Sequence, residues 1–192
     1  MKNFLNLETF KWLKIRKSQK KKCSNLPIKF SIPDWLWKKL SVNYDESFII
    51  NLTQSLLSPA ELNIRVNKLK KITVEQVILN LKESFPEIKS QIIRTKFSDI
   101  GISLPRGTQI NKHSLFLNGS IEVQDEGSQI LSFLLDVKRG QMVADFCAGA
   151  GGKTLALADI MKNKGRLYAF DISEKRLSNL KKRLKKSGAS NI

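Results

Sequence analysis

The chain of 192 residues carries 34 Lys and Arg against 17 Asp and Glu, a formal net charge of +17. This excess favours a polyanionic partner through counterion release. Two cysteines and one histidine argue against a disulfide framework, and no metal site is predicted. An apolar run of roughly 18 residues and a signal core are both absent, which predicts a cytoplasmic protein without a membrane partner.

The N-terminal segment, residues 1–30, is strongly basic. It contains nine Lys and Arg and only Glu8 as an acid, including the run "RKSQKKK". This composition predicts a basic N-terminal arm, acting either as a tether that contacts RNA or as a solubilising tail. Cys23 lies in this segment without a neighbouring base and is not assigned a catalytic role.

Helical apolar spacing follows in residues 31–57 and predicts a helical lead-in with Trp35 in its core. A small α+β RNA-binding subdomain is predicted over 58–118, from one amphipathic helix and several short strand patterns. Its first strand, "LNIRVNKLK", alternates, so Ile64 faces one side and Arg65 the other. Arg65 is therefore a candidate RNA contact on the polar face of this strand.

The last region, 119–192, begins with "EVQDEGSQILSFLLD", in which a helix with an apolar stripe is predicted. Asp125 and Glu126 could suggest an acid/base pair. Neighbouring helical residues point in different directions, so helix capping or docking between subdomains is the preferred interpretation.

The stretch "VADFCAGAGGKT", residues 143–154, reads as a strand, a glycine turn and a helix start. Such turns let a ligand approach the backbone and the free N–H groups of the first helical turn. A phosphate-binding Walker A loop would need glycine where Cys147 stands. The dinucleotide fingerprint would need a small residue where Thr154 stands. Both phosphate-binding patterns are therefore disfavoured. A P-loop nucleotidase, which would need the Walker A loop, is disfavoured with them.

A second strand, "GRLYAFDIS", ends at Asp171, 20 residues after Gly151. A carboxylate at this position can accept hydrogen bonds from both hydroxyls of a ribose. A glycine turn with a ribose-binding acid and no phosphate pattern suits S-adenosyl-L-methionine. The alternative for Asp171 is an N-cap of the following helix, "EKRLSNLKKRLKKSG". That helix is predicted to pack on the sheet through its leucines with its charge in solvent, and direct RNA contact is the second interpretation.

Taken together, the QDEGSQ segment, the D-x-C-A-x-x-G-G-K-T loop, "IPDWLWKKL" and "LNIRVNKLK" resemble the Nop/Sun-type RNA 5-methylcytosine methyltransferases over about residues 30–192. The resemblance implies an α/β fold in which 119–192 is an incomplete Rossmann-like methyltransferase domain. It also implies RNA as substrate, with ribosomal RNA as the expected target. S-adenosyl-L-methionine would be held by the loop, mainly through backbone, and by Asp171 on the ribose; the expected loop residues are Cys147, Ala148, Gly149, Ala150, Gly151, Gly152 and Lys153.

In this family, a cysteine adds to carbon 6 of cytosine so that carbon 5 can take the methyl group. The family carries this cysteine in a DAPCS motif, which is absent from these 192 residues. Cys147 is expected to pack beside the cofactor, so no catalytic residue is assigned. We therefore expect an N-terminal fragment that is inactive alone, exposes a sheet edge, or is completed by a separately encoded C-terminal half. The alternative is a non-catalytic RNA-binding remnant.

Overall fold

The computed structural model describes residues 25–192 and divides into two compact units, one ending at Pro59 and one beginning at Ala60. Most of the predicted basic arm, including Cys23, lies outside the described residues. The helices are α1 Leu26–Phe30, α2 Asp34–Leu40, α3 Glu46–Leu57, α4 Val74–Ser84, α5 Ser114–Leu117, α6 Glu126–Leu134, α7 Gly152–Ile160 and α8 Glu174–Ser187. The strands are β1 Leu62–Val66, β2 Ile93–Arg94, β3 Gly101–Leu104, β4 Ile121–Val123, β5 Met142–Asp145 and β6 Arg166–Ala169.

The first unit contains α1, α2 and α3, and α1 contacts α3. The side chain of Asn25 accepts from the Ile28 N–H, so the last part of the predicted arm is a short capped helix. Asp45 caps α3 in the same way through the Phe48 N–H at 2.7 Å. The helical lead-in is thus present, but Trp35, expected in its core, is 63% exposed.

The second unit begins with a four-stranded antiparallel sheet in the order β2-β3-β1-β4. Ile64 of β1 lies opposite Ile102 of β3 and Val123 of β4. A helix with a reciprocal capping box at Thr73 and Gln76, α4, contributes its apolar stripe to the same core. Because β4 completes this sheet, the sheet extends beyond residue 118, where the subdomain was predicted to end.

A parallel pair, β5 and β6, forms the second sheet. The connection from β5 through α7 to β6 is the βαβ unit expected of an open α/β fold. Val143 and Leu167 face α7, where Leu157 packs on them. As predicted, α8 packs through leucines, with Leu180 buried against Leu155 and Ala148. No helix in the described part of the chain is both long and apolar enough to span a membrane.

Candidate cofactor site

A sharp bend joins the end of β5 to the start of α7. Gly149 and Gly151 adopt φ values of 56° and 86°, in the left-handed region that glycine tolerates best. A Cβ at Gly151 would also lie 2.2 Å from Cδ1 of Leu180. Glycine is required there for two reasons, the backbone turn and the close packing of α8.

The carboxylate of Asp171, just beyond β6, points at this bend. Its Oδ2 accepts from the Gly149 N–H at 2.8 Å, and its Oδ1 accepts from the Ser173 N–H at 2.8 Å. These two backbone hydrogen bonds, led by that from Ser173, hold the pKa of Asp171 below its ordinary value. The N-cap of α8 is Ser173, whose side chain accepts from the Arg176 N–H. The structure therefore disfavours the N-cap alternative for Asp171.

The rest of the loop is fixed by Asp145 at the end of β5. Its Oδ2 accepts from Thr154 Oγ at 2.7 Å and its Oδ1 from the Cys147 N–H at 3.3 Å. No side chain caps the first turn of α7, whose N–H groups and the exposed Lys153 stand beside the bend. The structure thus brings the predicted loop residues and Asp171 together at the carboxyl ends of two parallel strands, where ligands bind in open α/β sheets.

A cleft of about 200 Å³ opens beside the start of α7. It is lined by Gln124, Asp125, Ser128, Asp145, Cys147, Ala148, Gly152 and Lys153. A larger cleft of about 490 Å³ lies at the opposite end of β6, near Arg166 and Ile192. The smaller cleft is the better candidate because it adjoins the bend and the uncapped helix. Among residues 25–192, no group of three or more His, Cys, Asp and Glu could hold a metal ion.

Arg65 requires a correction, because its side chain is only 1% exposed and does not offer a surface to RNA. Its Nη1 lies 3.2 Å from Oδ2 of Asp159 on α7, and its Nε donates to Oε1 of Gln124 at 2.8 Å. Burial lowers the pKa of Arg65 and raises that of Asp159, while their ion pair opposes both shifts. The alternation in β1 was predicted correctly, but its polar face packs on α7 and α6 rather than facing solvent.

The helix α6, which begins within the QDEGSQ segment, contacts both β1 of the antiparallel sheet and α7, in agreement with the docking interpretation. Glu126 accepts from the backbone N–H groups of Phe97 and Ser98. Gln129 is buried, and its Nε2 donates to the carbonyl oxygens of Ile64 and Gln124. Asp125 instead lines the cleft, so the two neighbouring acids have separate surroundings and do not form an acid/base pair.

Two residues that shape the candidate site, Gln124 and Arg183, were not predicted from the sequence. Gln124 lines the cleft, yet nothing but its place between a strand and a helix marks it in the sequence. Arg183 was read as a solvent-facing charge of α8. Its Nε donates to Oε2 of the buried Glu122 at 3.0 Å, and its Nη1 donates to the Ala150 carbonyl at 2.8 Å. It therefore ties the loop to β4.

Comparison with known proteins finds related methyltransferases. The family model described as 16S rRNA methyltransferase RsmB/F matches residues 132–192. A probable ribosomal RNA small subunit methyltransferase B of Bacillus subtilis is 28% identical over 84% of this chain and 35% of its own length. The 25S rRNA (cytosine-C(5))-methyltransferase NSUN5 of Arabidopsis thaliana is 33% identical over 67% of this chain and 22% of its own.

A solved structure is similar as well. The methyltransferase homolog protein from Pyrococcus horikoshii superposes with a TM-score of 0.67 and 32% identity, covering 83% of this chain and 54% of that one. The chain spans about a third or less of the two curated relatives named above. The fold is accordingly a mixed α/β fold that contains part of a Rossmann-like methyltransferase domain. By sequence and by structure, this chain belongs to the Nop/Sun-type family of RNA 5-methylcytosine methyltransferases.

Proposed function

We propose that this chain holds S-adenosyl-L-methionine at the bend and contacts RNA, as part of a cytosine-5 methyltransferase acting on ribosomal RNA. The observation that carries the proposal is the 2.8 Å hydrogen bond between Asp171 Oδ2 and the Gly149 N–H. It places an ionised carboxylate against a glycine bend that lacks both phosphate-binding patterns. A neutral adenosine sugar suits this arrangement better than a phosphate does, because a phosphate would be repelled by the carboxylate.

Each loop residue then has a binding role. Asp171 accepts hydrogen bonds from the ribose hydroxyls, and its lowered pKa keeps it ionised for this purpose. Backbone from Cys147 to Gly152 lines the ligand, since the two glycines allow close approach, and Lys153 stands at the start of α7. When bound, the cofactor supplies an electrophilic methyl group.

Methyl transfer to carbon 5 of cytosine also requires a nucleophile at carbon 6. Cys147 is exposed on the bend itself, where its backbone belongs to the cofactor loop. We assign it a place beside the ligand and assign no catalytic group to the described residues. In this proposal the nucleophile comes from a segment outside these 192 residues, on the same or a separate chain.

The RNA contact is reassigned from Arg65 to α8. The solvent side of this helix carries exposed basic side chains, namely Lys175, Arg176, Lys181, Lys182 and Lys185. Together with the net charge of +17, they support binding of a phosphate backbone. Reversing Lys181 and Lys182 to Glu should weaken binding of a ribosomal RNA fragment and flatten its salt dependence in fluorescence anisotropy. An unchanged salt dependence would refute this surface.

The cofactor assignment is tested by calorimetry with S-adenosyl-L-homocysteine. We expect Asp171→Ala to weaken binding about tenfold or more, because hydrogen bonds to a charged acceptor are lost. Asp34→Ala, which removes an exposed aspartate of α2, is the matched control and should bind as the unaltered chain does. Absence of binding in the unaltered chain would support the RNA-binding remnant instead. Tight binding of ATP would restore the phosphate-loop interpretation.

A further inference from the structure

We propose that Gln124 donates a hydrogen bond from Nε2 to the carboxylate of the cofactor's amino-acid end, and that Arg65 is the positioning residue that aims this amide. The inference rests on the proposed function, because it names the contact made by one end of the same ligand. It gives a role to two buried polar side chains that the loop and Asp171 do not explain.

The starting observation is a buried donor. Gln124 is only 6% exposed, and its Nε2 has no hydrogen-bond partner within the described part of the chain. A buried N–H group without an acceptor is costly, so such a group in a folded protein calls for an explanation. Gln124 lines the cleft, and its Nε2 would lie 4.0 Å from a Cβ placed on Gly152, the first residue of α7. The unpaired donor therefore stands at the cleft beside the uncapped helix start.

The direction of the amide is fixed by chemistry. The Arg65 guanidinium has only donors, so the atom it contacts at 2.8 Å must be the carbonyl oxygen of Gln124. The other polar atom of the amide, the donor Nε2, is therefore the one on the side of the cleft. Asp159 holds Arg65 from the other side, and the Gln124 backbone is held through Asn63 and Gln129. The donor is thus preorganised before any ligand arrives.

The cleft also has the charge pattern of an amino-acid zwitterion. Gln124, Lys153 and the first N–H groups of α7 offer donors and positive charge, which suits a carboxylate. Asp125 and Asp145 offer carboxylates, which suit an ammonium group and disfavour a second phosphate. A volume of about 200 Å³ is below the roughly 300 to 1,000 Å³ of whole-ligand pockets. Asp171 does not line this cleft, so the cleft and the ribose-binding carboxylate would hold opposite ends of one ligand.

Two probes separate these ends. S-adenosyl-L-homocysteine has the amino-acid group, whereas 5′-methylthioadenosine has the same adenosine and thioether but lacks that group. Gln124→Glu keeps an oxygen for Arg65 and removes the donor; Gln124→Met removes the donor without adding charge. In calorimetry we expect both variants to bind S-adenosyl-L-homocysteine about tenfold or more weakly and methylthioadenosine as before. Gln109→Glu, at an exposed glutamine, is the control and should change neither affinity.

The positioning role of Arg65 has its own readout. Arg65→Lys keeps a positive charge near Asp159 but loses the fixed fork that orients the amide. It should lower the affinity for S-adenosyl-L-homocysteine relative to the affinity for methylthioadenosine. A purely structural role would weaken the binding of both probes equally. Equal losses for both probes in the Gln124 variants would overturn the inference and leave the proposed function intact. Failure of both probes to bind the unaltered chain would overturn the proposed function and this inference with it.

Discussion

The antiparallel sheet and the parallel pair bury their apolar side chains to different extents, although they belong to one compact unit. Around the antiparallel sheet, one continuous core of buried aliphatic side chains includes Ile64, Val77, Leu81 and Ile102, all fully buried. The parallel pair has only two small clusters, around Leu157 and Leu155. On its other face, alternate side chains are exposed, namely Met142, Phe146, Tyr168 and Phe170.

This difference follows from topology. Antiparallel strands return within a few residues, so a short stretch of chain can close a sheet and cover it with local helices such as α4. Parallel strands are usually covered by helices on both faces, and here α7 and α8 cover only one. This exposed apolar face shows where further apolar surface could pack. The exposed sheet edge expected from the sequence is a separate feature and stays a prediction. The glycine bend at the carboxyl ends of this pair is tied to the antiparallel sheet by Arg183, which contacts both Ala150 and Glu122.

Breaking the polar tie between the regions should have the largest effect on stability. Arg65→Ala leaves the buried Asp159 carboxylate without its partner, which should lower the free energy of unfolding by about 3 to 5 kcal/mol. Chemical denaturation measures this value. Glu75→Ala, which breaks the exposed pair with Arg94, is the control and should leave stability unchanged within error. If both variants lost the same free energy of unfolding, the buried pair would contribute no more to stability than an exposed one, and the prediction would be wrong.

Truncating one apolar side chain in each region sharpens the comparison. Ile64→Ala should cost about 2 to 5 kcal/mol, because it opens a cavity in the closed core. Phe146→Ala should change stability by about 0.5 kcal/mol or less, because this ring is 74% exposed. It should also reduce binding of a dye that reports exposed apolar surface. A large loss of stability in Phe146→Ala would show that the outer face of the parallel pair is covered.

The smallest effect is expected from pH at His113, in the antiparallel region. Its Nδ1 accepts from the Leu115 N–H at 3.2 Å, and its Nε2 lies 3.0 Å from Ser84 Oγ. Burial lowers its pKa below the ordinary 6.5, so the folded state prefers the neutral ring. The contribution of His113 should be complete above pH 6.5 and should diminish as pH falls through its lower folded pKa. Thermal melts against His113→Asn, which keeps a capping side chain, measure this difference; a constant difference at all pH values would contradict it.

Much of the local structure was readable from the sequence. The alternation of "LNIRV" predicted β1, and the leucines of the last helix predicted the packed face of α8, which includes Leu180. The glycine bend and Asp171 were predicted to meet, and they do. These features depend on neighbours a few residues away or on a βαβ unit, in which the ends of consecutive parallel strands must lie side by side.

Whether an individual polar side chain is buried, and which partner it contacts, was decided only by the tertiary structure. Alternation placed Arg65 on the polar face of β1, but it could not reveal that α7 brings Asp159 to that face from 94 residues away. Likewise, the amide of Gln124 is oriented by Arg65, and Arg183 of α8 contacts both Glu122 of β4 and the Ala150 carbonyl of the glycine bend. The sequence determined which elements form and where the glycine bend lies, because hydrophobic period and glycine conformations are local. Which charges are buried depends on long-range packing, because the free-energy cost of burying a charge is offset by a paired group, and here that group lies far away in the sequence.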